Sequence, residues 1–174
     1  MTCSRSSPVS VGFGSMTGRD PERITRVVLA ALQRAGQRGV LLTGWGGLRA
    51  VGLPRDVFVA DAAPHDWLFP RMAAVVHHGG SGTTAAGLRA GGPAVLVPFG
   101  GDQFLWGRRI HALNVGPAPI PRSQLNVERL AAALALACDA AARERAVALG
   151  ERIRAEDGVG RAVEVVGARA GRPR

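Results

Sequence analysis

The stretch from Val75 to Gly92, VVHHGGSGTTAAGLRAGG, decides how this chain is read. It begins as the end of a short apolar strand. Glycines at 79, 80 and 82 follow, interleaved with Ser81, Thr83 and Thr84, and an alanine-rich run suited to a helix comes next. Such a turn places a helix N-terminus directly at the carboxyl end of a strand. The first N–H groups of the helix lack partners there, and the peptide dipoles add partial positive charge. Glycines let the backbone approach an anion closely, hydroxyls add donors, and His77 or His78 adds another. The stretch therefore reads as a candidate phosphate cradle, with a bland capped turn as the competing reading. A Walker loop is excluded because that motif needs a lysine and the chain has none. Zinc binding by the two histidines is disfavoured, because strand neighbours point to opposite faces and no third ligand sits nearby.

Working outward, the same strand-to-helix alternation recurs. PVSVGFGS (8–15) reads as a strand ending in a glycine turn. The helix after it has Asp20 as cap, Pro21 in its first turn and Gly36 at its stop. GVLLTGWG (39–46), Val57 to Ala60, MAAVVHHGG (72–80) and PAVLVPF (93–99) supply four more strands. DQFLWGRRIHALNVG reads as a helix, PAPIPRSQL as an extended connection, and NVERLAAALALACD and AARERAVALGERIRAEDG as amphipathic helices. GRAVEVVGARA is expected to form one or two helical turns. Short continuous apolar strands alternating with helices imply a parallel sheet covered on both faces, a doubly wound, Rossmann-like α/β domain. In that architecture ligands gather beyond the carboxyl ends of the strands. GFGSMTG, TGWGG, ADAAPHDW, HHGGSGTT and FGGDQ would all converge there.

Composition narrows the function. With 174 residues, 47% of them hydrophobic, the chain can build one domain with a real core. Cys3 and Cys138 have no metal or redox spacing. No apolar run reaches the roughly 18 residues of a membrane span, and the start lacks the apolar stretch of a secretory signal, so a cytoplasmic protein is expected. All 22 basic residues are arginine, and the formal charge is +9. That balance favours an anionic ligand. The arginines are dispersed rather than interleaved with aromatics, which argues against a nucleic-acid groove.

Two further loops carry chemistry. GFGSMTG is not the dinucleotide fingerprint, since Gly18 comes one residue late and no acidic residue follows the second strand. Ser15 could still donate to a phosphate oxygen. In PFGGDQFLWG, Asp102 and Gln103 sit at a strand-to-helix junction. Asp102 is either a helix cap or, with the neighbouring amide, a receptor for sugar hydroxyls. A carboxylate is a poor phosphate ligand, so the site divides into a phosphate half and a sugar half.

The run VVHHGGSGTTAAGLRAGGPAVLVPFGGDQFLWGRRI resembles the nucleotide-sugar signature of inverting glycosyltransferases with the two-domain GT-B fold. The similarity is to the bacterial branch near sterol, macrolide and antibiotic glycosyltransferases, and PVSVGFGSM and VFVADAAPHDWLFPRMAAVVHHGG match it too. It covers roughly Pro8 to Val166. The resemblance implies that Ser15, His78, Gly80, Gly82 and Thr83 contact the donor diphosphate. It implies that Ala63 and His65 pack on the nucleobase, that Trp45 lies near the nucleoside, and that Asp102 and Gln103 hold the donor sugar. The donor would be a UDP- or dTDP-sugar, with no metal and no further cofactor. Two positions depart from the pattern. Ala86 stands where many relatives bind the ribose through a glutamate, and Ala62 where plant relatives stack a tryptophan. The base therefore stays open between uridine and thymidine.

The resemblance also implies a partner domain. Full enzymes of this type carry an N-terminal acceptor domain with the catalytic base, and no catalytic residue is assigned here. The chain is expected to divide into a disordered segment (1–7), a donor-binding domain (8–168) and a frayed tail (169–174). The small-molecule hydroxylated acceptor would be held by a missing or separate domain. The rival readings are a non-catalytic nucleotide-sugar binding module, a sugar-nucleotide epimerase and a basic nucleic-acid binder.

Overall fold

The computed structural model describes residues 7–16, 20–44, 48 and 52–170. Residues 1–6 of the expected loose N-terminus and 171–174 of the expected tail lie outside the described residues. Five strands, β1 (Val9–Gly12), β2 (Gly39–Leu42), β3 (Val57–Ala60), β4 (Ala74–His77) and β5 (Ala94–Leu96), form one sheet in the order β3-β2-β1-β4-β5. Every neighbouring pair is parallel, with Val9 of β1 opposite Gly39 on one side and Ala74 on the other. Parallel pairing requires crossovers, and helices supply them: α1 (Pro21–Arg34), α2 (His65–Leu68), α3 (Ser81–Arg89), α4 (Gln103–Ala112), α5 (Val127–Ala137), α6 (Ala140–Ala155) and α7 (Gly158–Ala170).

The period of two along each strand sorts the core into two faces. Val9, Val11, Leu41, Ala74, Val76, Val95 and Val97 turn toward α1 and α5, where Ile24, Val28, Leu32, Leu130 and Leu134 cover them. Val40, Leu42, Val75, Ala94 and Leu96 belong to two smaller clusters on the other face, with residues of α2, α3, α4 and α6. On that second face the central strand β1 contributes only Ser10 and Gly12. These small residues leave a hollow between the elements on either side, and the hollow becomes the site.

Helix α6 also closes the end of the domain away from the site. Arg143 Nη1 donates to the carbonyl of Met72 at 2.7 Å, and Arg145 Nε to that of Asn114 at 2.8 Å. Arg154 Nη1 donates to the carbonyl of Arg89, the last residue of α3. Guanidinium groups thus take up carbonyls left over where the α3 and α4 segments end and the chain approaches β4.

The structure differs from the sequence expectations in three places. The segment after β3, grouped above with the loops at the strand ends, forms α2 and a 3₁₀ turn at Phe69–Arg71. Four residues after Pro64 are too few to show a helical period. The connection 117–125 contains a 3₁₀ turn at Arg122–Gln124 rather than being extended throughout. The C-terminal segment is a 13-residue helix instead of a turn or two, and none of its residues is buried. No helix among the described residues is long and apolar enough to cross a membrane.

Candidate nucleotide-sugar site

The hollow over Ser10 and Gly12 opens into a cleft of about 370 Å³ at the carboxyl ends of the strands. Ser15, Ala63, His65, His78 and Thr83 all line it, so five of the residues singled out from sequence are brought together. Gly80, Gly82, Asp102 and Gln103 are not among its lining residues: the first two stand at the start of α3, next to Thr83, and the other two at the start of α4. Trp45 lies outside the described residues.

The β4–α3 turn forms one end of the cleft. Gly79 has φ +99°, a backbone shape that L side chains rarely adopt. A Cβ on Gly79 would lie 3.0 Å from Leu96 Cδ2 and 3.1 Å from the Gln103 carbonyl, so this turn abuts the one that follows β5. Gly80 occupies the N-cap of α3 without any side-chain cap. A Cβ there would fall 2.6 Å from His78 Nε2, so the imidazole lies directly over the helix entry because residue 80 is glycine. A Cβ on Gly82 would meet nothing within 4 Å, which leaves that backbone open to approach. Thr83 lines the cleft, but Thr84 does not join it: its hydroxyl donates to the Gly80 carbonyl at 2.9 Å. Of the three hydroxyls the sequence offered, that one is occupied inside the helix.

The two histidines are placed differently from the expectation of simple strand alternation. Both line the cleft. β4 ends at His77 and the chain turns at once, so His78 does not continue to the opposite face. His77 shares the Val75 face and is 1% exposed, at the cleft floor, while His78 is half-buried above it with the rings nearly perpendicular. Burial lowers the pKa of His78, and the Asp102 carboxylate acts against that shift. His78 Nδ1 is buried with no hydrogen-bond partner.

At the other end, His65 stacks on Phe69 with centroids 4.3 Å apart and an interplanar angle of 15°. Burial lowers its pKa and Asp66 acts against the shift, so the ring favours the neutral form. Asp61, which sequence reasoning passed over, lines the cleft as well and is the one carboxylate among the described residues to do so. It accepts from Thr43 Oγ1 at 2.9 Å, linking the loops after β2 and β3. Its signal was its place at the carboxyl end of β3, in a loop already named for its neighbours.

Asp102 and Gln103 separate in role. Asp102 is exposed and makes no side-chain cap bond, so the cap reading is not the one seen. Gln103 Oε1 accepts from Phe99 N at 2.7 Å and Gly100 N at 3.3 Å, and Nε2 donates to Met16 Sδ at 3.4 Å. That amide already braces the loop it stands on. Among the described residues, no group of three or more His, Cys, Asp or Glu could hold a metal ion.

Comparison with known proteins matches residues 45–166 to the family described as erythromycin biosynthesis protein CIII-like, C-terminal domain. The chain is 48% identical over 158 residues to sterol 3-beta-glucosyltransferase UGT80A2 of Arabidopsis thaliana, covering 90% of this chain and 25% of that protein. It is 42% identical over 167 residues to the sterol 3-beta-glucosyltransferase of Emericella nidulans, covering 91% of this chain and 12% of that protein. The chain thus spans a quarter or less of the length of these relatives. Among solved structures, CalG4, the calicheamicin glycosyltransferase, superposes with a TM-score of 0.80 at 26% identity, over 96% of this chain and 43% of that one. A UDP-glucose:anthocyanidin 3-O-glucosyltransferase solved in complex with UDP shares the fold, with a TM-score of 0.73 at 21% identity over 89% of this chain and 37% of that one.

Proposed function

The chain belongs to the family of erythromycin biosynthesis protein CIII-like C-terminal domains and is homologous to glycosyltransferases, and from that premise we propose that it binds a UDP- or dTDP-sugar as glycosyl donor. The observation that carries this reading is the convergence of Ser15, Thr83 and His78 with the uncapped start of α3 on one cleft. The diphosphate lies against the Gly80–Gly82 backbone and His78, where unpaired N–H groups meet it. The base lies toward Ala63 and His65, and Asp102 accepts from the sugar hydroxyls. Gln103 supports Asp102 by bracing the loop, and its amide nitrogen remains the group able to reach the sugar.

In glycosyl transfer an acceptor hydroxyl, deprotonated by a base, attacks the anomeric carbon while the diphosphate leaves. The described residues serve the leaving group, because oriented N–H donors and His78 stabilise the charge that grows on it. The base and the acceptor pocket belong to a second domain, within the additional length that the relatives have. The sterol glucosyltransferase names of the relatives make UDP-glucose the first donor to try. Calorimetry with UDP, dTDP and UDP-glucose tests the reading. Weak but measurable binding of a diphosphate is expected, and a folded sample that binds none of the three overturns it.

A further inference from the structure

His77 is the least expected residue of the cleft. It is buried to 1% exposure, and burial, with His78 and His65 adding smaller contributions, pushes its pKa down to about 3. It therefore never carries charge under ordinary conditions and cannot serve as a cationic phosphate ligand. Its Nδ1 accepts a hydrogen bond from Gly79 N at 3.1 Å. That bond fixes the tautomer, with the proton on Nε2, and Nε2 is itself buried without a partner. An unpaired buried nitrogen costs stability, and an aliphatic side chain of similar bulk would avoid that cost. The histidine thus does something that packing does not explain.

We propose that His77 is a positioning residue for the diphosphate cradle, acting through the Gly79 N–H. Gly79 carries the left-handed turn on which the β4–α3 crossing depends, and His77 closes that turn from below while Leu96 and the Gln103 carbonyl close it from the side. By holding the Gly79 N–H inward, the imidazole leaves the later N–H groups of Gly80, Ser81 and Gly82 aimed at the cleft and seats His78 above the helix entry. The adjacent histidines then have distinct tasks: His78 faces the ligand, and His77 holds the backbone that does. This inference rests on the donor-binding reading.

The test compares His77→Asn, whose side-chain oxygen can take the place of Nδ1, with His77→Leu, which keeps bulk and loses the acceptor. Affinities for UDP and for uridine are measured on each and on the unaltered chain, along with the ¹⁵N chemical shifts of the imidazole in the unaltered chain. His77→Leu is expected to lose UDP affinity by about fivefold or more, the effect of one lost hydrogen bond of positioning, with uridine affinity retained and with rescue by His77→Asn. Equal UDP affinity in the Leu variant and the unaltered chain overturns the inference while leaving donor binding intact. A parallel loss for UDP and uridine overturns it too, because that is the mark of general destabilisation. A proton on Nδ1 in the unaltered chain overturns it even where the Leu variant does not fold. An unaltered chain that binds neither ligand removes the donor-binding reading, and this inference with it.

Discussion

The helices of this domain begin in two different ways. α1, α5 and α6 open on a side-chain cap: Asp20 accepts from Arg23 N at 2.9 Å, Asn126 from Arg129 N at 2.8 Å and Asp139 from Ala141 N at 3.1 Å. α2, α3 and α4 have no side-chain cap at all. Within the second group, His65 of α2 and Thr83 of α3 line the cleft, and α4 starts at the turn that abuts Gly79. A capped N-terminus has its free N–H groups satisfied from within, and an uncapped one presents them to whatever comes next. Within the uncapped group there is a further division. α3 opens on a glycine beneath His78, and α4 opens on a carboxylate that faces away from its own backbone. The first suits a phosphate and the second a hydroxyl.

The largest effect expected from this contrast is acid sensitivity at the uncapped α3 turn. The His77 pKa is lowered in the folded chain to about 3 from 6.5. Between those values the unfolded chain binds the extra proton. Its contribution to stability is thus intact above pH 6.5 and lost as the pH falls, by about 1.4 kcal/mol per unit. Urea denaturation at pH 7 and pH 5 should show the unaltered chain losing ~2 kcal/mol more than His77→Asn. Identical pH slopes for the two would place the acid sensitivity elsewhere.

Next comes Gly80→Ala. The backbone at Gly80 is ordinary for alanine, so the fold should survive. The new Cβ displaces His78 and covers the helix entry, so UDP and UDP-glucose should both bind about tenfold more weakly or worse, the cost of a lost charged contact. An unchanged affinity would mean that the uncapped end of α3 is not where the diphosphate sits.

Asp102→Ala sharpens the division inside the uncapped pair. UDP-glucose should lose up to about tenfold in affinity as its hydroxyls lose a charged acceptor, and UDP should be nearly unaffected. Titration calorimetry with the two ligands separates these outcomes, and equal losses would merge the two halves of the site into one.

The smallest effect belongs to the capped group. Asp20→Ala should cost about 1 kcal/mol, which lowers Tm by roughly 2–4 °C in a domain of this size, with UDP affinity untouched. A loss of UDP affinity without a fall in Tm would show that α1 takes part in the site after all.

Much of this contrast was legible before the structure. Val9, Val40, Val57, Val75 and Val95 mark strands through short apolar runs, and a glycine or polar loop follows each, so sheet and binding edge came together. Glycine spacing located the start of α3. The functions of individual side chains were less legible, because they depend on contacts distant in sequence. Gln103 braces residues 99 and 100 and reaches Met16, 87 residues away. Thr84 bonds inside its own helix. His78 turned toward the cleft because the strand stops at His77, and a period of two cannot show where a strand stops. The full length of α7 was hidden by its glycines at 158, 160 and 167, which resemble breaks.

The arginine clasp of α6 has a consequence for where this domain can be cut. The four carbonyls that it holds, at Met72, Ala73, Asn114 and Arg89, belong to segments between 31 and 71 residues away along the chain. Removing α6 would free all of them at once, at the start of β4, at the end of α3 and after α4. The helix is therefore a tie across the whole domain rather than a trimmable appendage, although it stands at the end away from the cleft.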